Sequence, residues 1–125
     1  MMRPRRSKYG ARRTTVDGIM FASKRESERY RELKLLENAG KIWDLELQPR
    51  FPLLVPSTSG YLMRAAKALT SGGLFKIGEY RGDFKYYDGT TIPYVVEDPK
   101  GFKTPLYRWK KKHVEAQYGI QIREI

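Results

Sequence analysis

The segment Tyr80–Phe102 constrains the fold more than any other part of the chain, because it predicts two strands joined by a turn. The turn signal is Asp88-Gly89, a dipeptide that tolerates the positive φ angles of hairpin turns. Aromatic residues precede this dipeptide and Val95-Val96 follow it, as is typical of paired strands. The predicted strands run over Leu74–Tyr87 and Ile92–Lys100, and the rest of the chain has to pack around this antiparallel hairpin.

The length of the hairpin loop decides which residues face one another. With a four-residue loop over Asp88–Thr91, Tyr87 faces Ile92 and Asp83 faces Val96. A two-residue loop keeps every side chain on the same face but moves the acidic residues of the two strands apart, and an odd-length loop changes the faces.

Acidic residues lie near the ends of both strands, where an apolar strand rarely carries charge. Since successive side chains alternate between the faces of a strand, Asp83, Asp98 and Lys100 share one face and Glu97 projects from the other. Asp83 and Asp98 are then diagonal neighbours with backbones roughly 7–8 Å apart. Two carboxylates at that spacing can bind one divalent cation. The alternative is a solvated strand edge.

The composition predicts one domain with a polyanionic partner. A chain of 125 residues with 40% hydrophobic residues can bury a modest core. Its net charge of +11 favours nucleic acid, or less simply an anionic membrane surface, as the partner. No apolar run is long enough to span a bilayer, and the Arg-rich start lacks the apolar stretch of a secretory signal. The absence of Cys excludes disulfides and thiolate metal sites, which fits a cytoplasmic protein.

Basic residues are concentrated at the two ends of the chain. Residues 1–13 predict a flexible basic arm that lies along phosphates, with a solubilising tail as the alternative. Near the other end, a basic helix is predicted to contact phosphates along one flank. The expected nucleic-acid contacts are Arg3, Arg5, Arg6, Lys8, Arg12, Arg13, Lys103, Arg108, Lys110, Lys111 and Lys112.

The first helix is predicted to begin after a Ser23 N-cap and to end at Asn38-Ala39-Gly40. The residues expected on its core face are Tyr30, Leu33, Leu35 and Leu36.

Glu26 lies on the same stripe as Tyr30, whereas Arg25, Arg29 and Glu32 are expected on the solvent side. An acid on a buried stripe needs a partner, and two interpretations stay open. Glu26 is either a site residue or the second half of an S-x-x-E capping box, in which its side chain folds back on the cap.

The strand region Ile42–Val55 alternates apolar and polar residues, and its prolines Pro49 and Pro52 predict an edge or a bent strand. Residues 57–73 predict a basic flap that contains a short helix over Tyr61–Leu69, with an ordinary excursion as the alternative.

The basic helix is predicted to begin at Thr104-Pro105 and to end near Tyr118, with Gly119 as its C-cap. Its expected apolar contacts are Leu106, Trp109, Val114 and Ala116.

A last short strand follows this helix, so the order of elements is helix, strand, strand, strand, helix, strand. The strand–helix–strand crossover makes the last strand parallel to its partner, and the hairpin is antiparallel. The sequence therefore predicts an α/β fold with a mixed four-stranded sheet flanked by helices.

Three short motifs in this order resemble the PD-(D/E)xK nuclease superfamily, and specifically its small phage-associated endonucleases, which include Holliday junction resolvase-like enzymes. Phe21-Ala22-Ser23-Lys24-Arg25-Glu26 resembles their F-x-S-x-x-E opening, and Gly82-Asp83-Phe84 their DF strand. The run from Val95 to Gly101 resembles their V-x-(D/E)-x-K-G strand. The resemblance spans residues 17–125 and implies an αβββαβ restriction-endonuclease-like core, in which residues 57–73 are an insertion within a nuclease-like domain over residues 14–125.

By this resemblance, Glu26, Asp83, Asp98 and Lys100 take the catalytic positions. Asp83 and Asp98 would bind Mg²⁺ or Mn²⁺ directly, Glu26 through water or a second ion, and the carbonyl of Pro99 would be a further ligand. Glu97 replaces Asp98 as the acid if a bulge reverses the strand.

The function implied is a metal-dependent endodeoxyribonuclease that acts on branched or nicked DNA in phage recombination or replication. It would work in the host cytoplasm, and as a homodimer if it cuts both strands of a junction. The alternative is a nucleic-acid-binding protein that keeps the fold without cutting.

Overall fold

The computed structural model describes residues 13–56, 74–98 and 103–125 of the chain. The elements formed by these residues are β1 (Thr14–Val16), β2 (Ile19–Phe21), α1 (Lys24–Asn38), β3 (Trp43–Leu47), β4 (Arg50–Pro56), β5 (Leu74–Arg81), β6 (Phe84–Tyr87), β7 (Val95–Glu97), α2 (Pro105–Tyr118) and β8 (Ile122–Arg123). The basic arm up to Arg12, the segment 57–73 with its predicted helix, and Pro99 and Lys100 lie outside the described residues.

Strands β3, β6, β7 and β8 form a mixed four-stranded sheet in that order. The β3–β6 and β6–β7 pairs are antiparallel, whereas β7 and β8 are parallel because α2 connects them as a crossover. The predicted α/β class, the mixed sheet and the parallel last strand are therefore confirmed.

The sheet separates two hydrophobic clusters. On one face Tyr30 and Leu33 of α1 pack with Phe84 and Val95. On the other face Val114 of α2 packs with neighbours that include Val96. Since the consecutive residues Val95 and Val96 belong to different clusters, each helix covers one face of the sheet. Among the described residues, neither helix is long and apolar enough to cross a membrane.

The ladder of β3 and β6 continues as a second ladder formed by β4 and β5. The break lies at Pro49 on one side and at Gly82-Asp83 on the other. The Gln48 N–H donates to the carbonyl of Asp83 (2.9 Å), and the Gly82 N–H donates to the carbonyl of Pro49 (3.1 Å). The predicted bend near Pro49 is confirmed, and the expected strand Leu74–Tyr87 is interrupted at the same level.

The register of the central hairpin differs from the prediction. The observed pairs are Phe84 with Glu97, Lys85 with Val96 and Tyr86 with Val95. The predicted pairs, Tyr87 with Ile92 and Asp83 with Val96, are therefore wrong by two residues. An even shift keeps Glu97 and Asp98 on their predicted, opposite faces.

The physical reason for the shift is the chemistry of the loop. The Asp88 carboxylate accepts hydrogen bonds from the backbone N–H groups of Thr90 (2.9 Å) and Thr91 (2.7 Å), so these residues are held in the turn. Pro93 has no N–H to donate to a ladder, and strand β7 begins only at Val95.

A hairpin that was not predicted lies before α1. Strands β1 and β2 are joined by Asp17 (φ 52°) and Gly18 (φ 75°), both in the left-handed region. The Asp17 carboxylate accepts a hydrogen bond from the Tyr30 hydroxyl (3.1 Å), and the ring of Phe21 packs on that of Tyr30 with centroids 5.0 Å apart. These contacts fix the hairpin on α1.

Helix α1 begins after Ser23 and ends at Asn38, as predicted. The Ser23 hydroxyl accepts a hydrogen bond from the Glu26 backbone N–H (3.2 Å), which is one half of the predicted capping box. Tyr30 and Leu33 are buried, but the prediction was wrong for Leu35 (69% exposed) and Leu36 (37% exposed). A single face of the helix reaches the sheet, and these two leucines lie outside it.

Helix α2 also has its predicted bounds, with Thr104 as N-cap, Pro105 in the first turn and Gly119 as C-cap. Its buried side is formed by Tyr107, Val114 and Tyr118, which pack with the second cluster. Of the expected apolar contacts, only Val114 is buried, and Leu106 (59% exposed), Trp109 (69% exposed) and Ala116 face outward.

Candidate active site

Glu97 and Asp98 are consecutive residues whose side chains are both fully buried, on opposite faces of the sheet. Glu97 contacts α1 and β6, whereas Asp98 contacts Tyr80 of β5, which belongs to the cluster under α2. The predicted division of these two acids between the faces is confirmed.

Glu97 is neutralised by a buried ion pair. Nε and Nη2 of Arg29 donate to its two carboxylate oxygens (2.6 and 2.7 Å), and the Tyr86 hydroxyl donates to one of them as well. This pairing raises the pKa of the Arg29 guanidinium above its ordinary value. Burial, followed by the hydrogen bond to Glu97, raises the pKa of Tyr86 to about 12. Glu97 is therefore held as a structural anion, and the expectation of a solvent-facing Arg29 was wrong because that side chain reaches over the sheet to this acid.

Asp98 has a different partner. One of its carboxylate oxygens accepts a short hydrogen bond from the Tyr80 hydroxyl. Burial and this hydrogen bond raise the pKa of Tyr80, and the charges of Asp98 and Asp83 raise it further. The negative charges of Asp83 and Asp98 therefore act on the same hydroxyl, and the predicted spacing of the two acids stays a prediction.

Asp83 lies at a β-bulge between β5 and β6. Its backbone N–H donates to the carbonyl of Glu97 (3.0 Å), while Phe84 is also paired with Glu97, so two successive residues oppose one. Its carbonyl accepts a hydrogen bond from the backbone N–H of Gln48, which lies between β3 and β4. Gly82 allows close packing here, since a Cβ on it would lie 3.0 Å from Val96 Cγ1. The backbone of Asp83 is fixed from both sides.

Glu26 and Asp83 line one cleft of about 180 Å³. The other lining residues are Ile19, Met20, Phe21, Leu47, Gln48 and Phe84. The β1–β2 hairpin forms one wall, and the first turn of α1 carries Glu26. Since Ser23 caps the backbone of this turn and the Glu26 side chain lines the cleft, a capping role for Ser23 and a site role for Glu26 are compatible.

The cleft residues fit a hard divalent cation. Carboxylate oxygens are the ligands that Mg²⁺ and Mn²⁺ prefer, and Mg²⁺ is commonly bound by one or two carboxylates together with water and substrate phosphates. In the described ranges no group of three or more His, Asp or Glu side chains could hold a metal ion. Glu26 and Asp83 thus suit an ion that is shared with a substrate.

A polar chain connects Asp98 with the surface of α2. Tyr107 lies near Tyr80 and Asp98, and its pKa is raised by burial and then by the charges of Asp98 and Glu124. Glu124 in turn forms ion pairs with Lys111 (2.9 Å) and Lys103 (3.1 Å). These two lysines were expected to contact phosphates, and here each is bound to a carboxylate.

The other predicted cationic contacts that the structure describes are differently placed. Arg13, Arg108 and Lys112 are exposed, and Lys110 is partly buried. Arg108 and Lys112 lie on the side of α2 that faces away from the second cluster.

Sequence reasoning missed the partners of the two buried acids, Arg29 and Tyr80. Arg29 was expected on the solvent side, but it lies three residues after Glu26, next to the buried stripe, and this spacing could have indicated that it reaches the sheet. Tyr80 precedes the motif and carried no comparable signal.

Together the described residues define an α/β protein with an acidic cleft beside the kink of its central hairpin. A family model described as "Protein of unknown function (DUF1064)" matches residues 6–124, and the chain belongs to that family. Searches among curated proteins and among solved structures found no match to the chain.

Proposed function

We propose that this protein is a metal-dependent endodeoxyribonuclease that hydrolyses phosphodiester bonds in branched or nicked DNA, with Mg²⁺ or Mn²⁺ as cofactor. The observation that carries the proposal is the cleft that Glu26 and Asp83 line together. The biological setting that we propose is phage recombination or replication, in which a homodimer would cut both strands of a junction.

The positions of the acids on the fold support a relation to PD-(D/E)xK nucleases. Glu26 lies in the first turn of α1, Asp83 between the ladders of the hairpin, and Asp98 directly after β7. Glu26 and Asp83, from distant parts of the sequence, thus line one cleft, and Asp98 follows the strand that pairs with β6. A net charge of +11 supports a nucleic-acid partner in the same way, since phosphates are the commonest polyanion that a basic protein binds.

In this mechanism the chain provides ligands and fixed charges. Glu26 and Asp83 would hold the cation in the cleft, and Asp98 and the Pro99 carbonyl are the further ligands that the resemblance implies. A bound Mg²⁺ neutralises phosphate charge and lowers the pKa of a coordinated water. The bulge holds the backbone of Asp83 in place, and the Tyr80 hydroxyl orients Asp98. Lys100 would stabilise the developing charge on the phosphate as a point charge.

The second candidate is a nucleic-acid-binding protein that does not cut. It is favoured by one observation: Asp98 is fully buried and accepts a hydrogen bond from Tyr80, so that oxygen already has a structural role. This candidate predicts that removal of Asp83 leaves binding and biological effect unchanged.

The experiment is cleavage of linear duplex, single strand, nicked circle and four-way junction with Mg²⁺, Mn²⁺ or EDTA. Asp83→Asn and Glu26→Gln are expected to lower cleavage by about 100-fold or more, because each loses a charged cation ligand. Asp44→Asn and Glu28→Gln are matched controls, since both remove one negative charge from an exposed position. Metal-dependent cutting that only the cleft variants abolish establishes the enzyme. Binding without cutting on every substrate establishes the second candidate.

A further inference from the structure

The outer side of α2 carries an apolar surface that the fold does not use. Trp109 is 69% exposed and Leu106 is 59% exposed, although both were expected in the core. The two residues lie three positions apart, so they are neighbours on one face of the helix. The buried stripe of α2, with Val114 and Tyr118, lies on the opposite side, and Trp109 therefore projects outward.

Cations surround this apolar surface. Lys112 is three residues from Trp109 and lies beside it on the helix, and Arg108 and Lys110 flank it along the chain. None of these three cations forms an ion pair within the described residues, in contrast to Lys103 and Lys111, which are bound to Glu124. Scattered apolar residues on a surface need no explanation, but an exposed indole next to an exposed leucine, with three cations beside them that have no ion pair in the described part of the chain, is a specific arrangement.

The chemistry of this arrangement selects a ligand with a flat apolar group and negative charges on both sides of it. A nucleotide in a single strand has these features, because its base has an unstacked π face and its phosphates lie on either side. A base inside a duplex is already stacked above and below, so it offers no face to an indole. A protein partner would present its apolar residues with acidic neighbours, whereas a nucleic acid matches the net charge of +11 as well.

We propose that Trp109 and Leu106 form a stacking site for an unpaired nucleobase, with Arg108, Lys110 and Lys112 contacting the adjacent phosphates. This inference rests on the nucleic-acid partner of the proposed function. It specifies that function further, because a stacking site of this kind selects DNA with unpaired bases, such as a flap or an opened junction.

The test uses the full chain in EDTA, so that binding is measured without cutting. In a Trp43→Phe background, Trp109 is the remaining tryptophan and its fluorescence reports stacking. The probes are a fluorescein-labelled oligothymidylate and a closed hairpin duplex with the same label, whose binding is followed by anisotropy.

We expect the oligothymidylate to quench Trp109 emission on binding, and Trp109→Leu to weaken its affinity by about tenfold or more, the size of one lost base–aromatic stack. Affinity for the duplex should change by less than about twofold, since phosphate contacts persist. Trp109→Phe should restore part of the affinity because it keeps an aromatic face. Leu35→Ala on α1 is the matched control, because it removes an equally exposed apolar side chain (69%) from the other helix.

Three outcomes overturn the inference. Oligothymidylate binding with no change in Trp109 emission would mean that phosphate contacts suffice, and the nucleic-acid partner would survive without the stacking site. An equal loss of single-strand and duplex affinity in Trp109→Leu would exclude selection of unpaired bases. Emission that changes with protein concentration before any DNA is added would show that a second copy of the chain covers Trp109. Failure of both probes to bind would instead remove the proposed function itself.

Discussion

Glu97 and Asp98 are neighbours in sequence and equally buried, yet the two faces of the sheet treat them differently. Glu97 is matched by the guanidinium of Arg29 and by the Tyr86 hydroxyl, so its charge is balanced inside the fold. Asp98 accepts a hydrogen bond from the Tyr80 hydroxyl, and the charge of Asp83 acts on the same hydroxyl. On the first face the acid is bound by a cation, whereas on the second face one partner of the acid is a tyrosine hydroxyl.

Burying a carboxylate costs several kcal/mol of folding free energy. A partner that forms a buried ion pair with the carboxylate offsets about that amount. The ion pair with Arg29 gives Glu97 a structural role, whereas under the proposed function Glu26 and Asp83 of the cleft bind the cation. Neither Glu97 nor Asp98 is among the described residues that line the cleft, so the choice of Asp98 as the acid of the motif stays a prediction.

The largest expected effect concerns the ion pair on the face of the sheet that holds Glu97. Arg29→Met removes the cation and leaves Glu97 buried without its compensating charge, so we expect a loss of about 3–5 kcal/mol in the free energy of unfolding. The measurement is urea denaturation followed by circular dichroism. Glu32→Gln is the control, because Glu32 binds the same arginine from an exposed position (62%) and its loss should cost less than about 1 kcal/mol. If both variants lose equal stability, Glu97 does not depend on Arg29 and the comparison fails.

The sequence was sufficient to predict the helices, the strands of the four-stranded sheet and the faces of the two buried acids, but it did not predict the side chains that bind these acids. Capping residues at Ser23, Thr104 and Gly119 fixed both helices, because these residues satisfy helix ends locally. The faces of Glu97 and Asp98 followed from the alternation of side chains along a strand, and the parallel last strand followed from the crossover rule. Asp17-Gly18 carried the same turn signal as Asp88-Gly89, and the first hairpin could have been predicted from it.

What could not be predicted depends on contacts between distant residues. The hairpin register was set by the Asp88 side chain and by Pro93, and it moved by two positions from the predicted loop. The rotation of each helix on the sheet decided that Arg29 points inward and Trp109 outward. Periodicity gives the width of an apolar stripe, but tertiary packing chooses which residues at its border are buried.

Two matched variants that each remove one hydroxyl sharpen the comparison, and their expected effects are intermediate in size. Tyr86→Phe and Tyr80→Phe each remove one hydrogen bond to a buried carboxylate, and each should cost about 1.5–3 kcal/mol in the free energy of unfolding. Their effects on function should differ. Tyr80→Phe is expected to lower metal-dependent cleavage by about tenfold, because it releases Asp98 from its position, whereas Tyr86→Phe should leave cleavage per folded molecule unchanged.

The readouts for this pair are denaturation midpoints together with cleavage rates at saturating and at limiting Mg²⁺. A Tyr80→Phe defect that extra Mg²⁺ restores would identify a role in cation binding. Equal cleavage by the two variants would place Asp98 with Glu97 as a purely structural acid.

The smallest expected effect concerns the ion pairs at the end of the Asp98 chain. Hydrogen bonding to Lys111, together with Lys103, lowers the pKa of Glu124 from 4.5 to about 2. A carboxyl whose pKa is lower in the folded state stabilises the fold above its unfolded pKa, and this contribution is lost as the pH falls from 4.5 to about 2. Glu124→Gln should therefore be less stable than wild type at neutral pH by about 1 kcal/mol or less, and the difference should shrink over that window.

The measurement is a series of denaturation curves at decreasing pH, with Glu46→Gln as an exposed control. A difference that persists unchanged at the acid end would mean that Glu124 acts through packing, and the chain from Asp98 to the surface of α2 would then carry no electrostatic coupling.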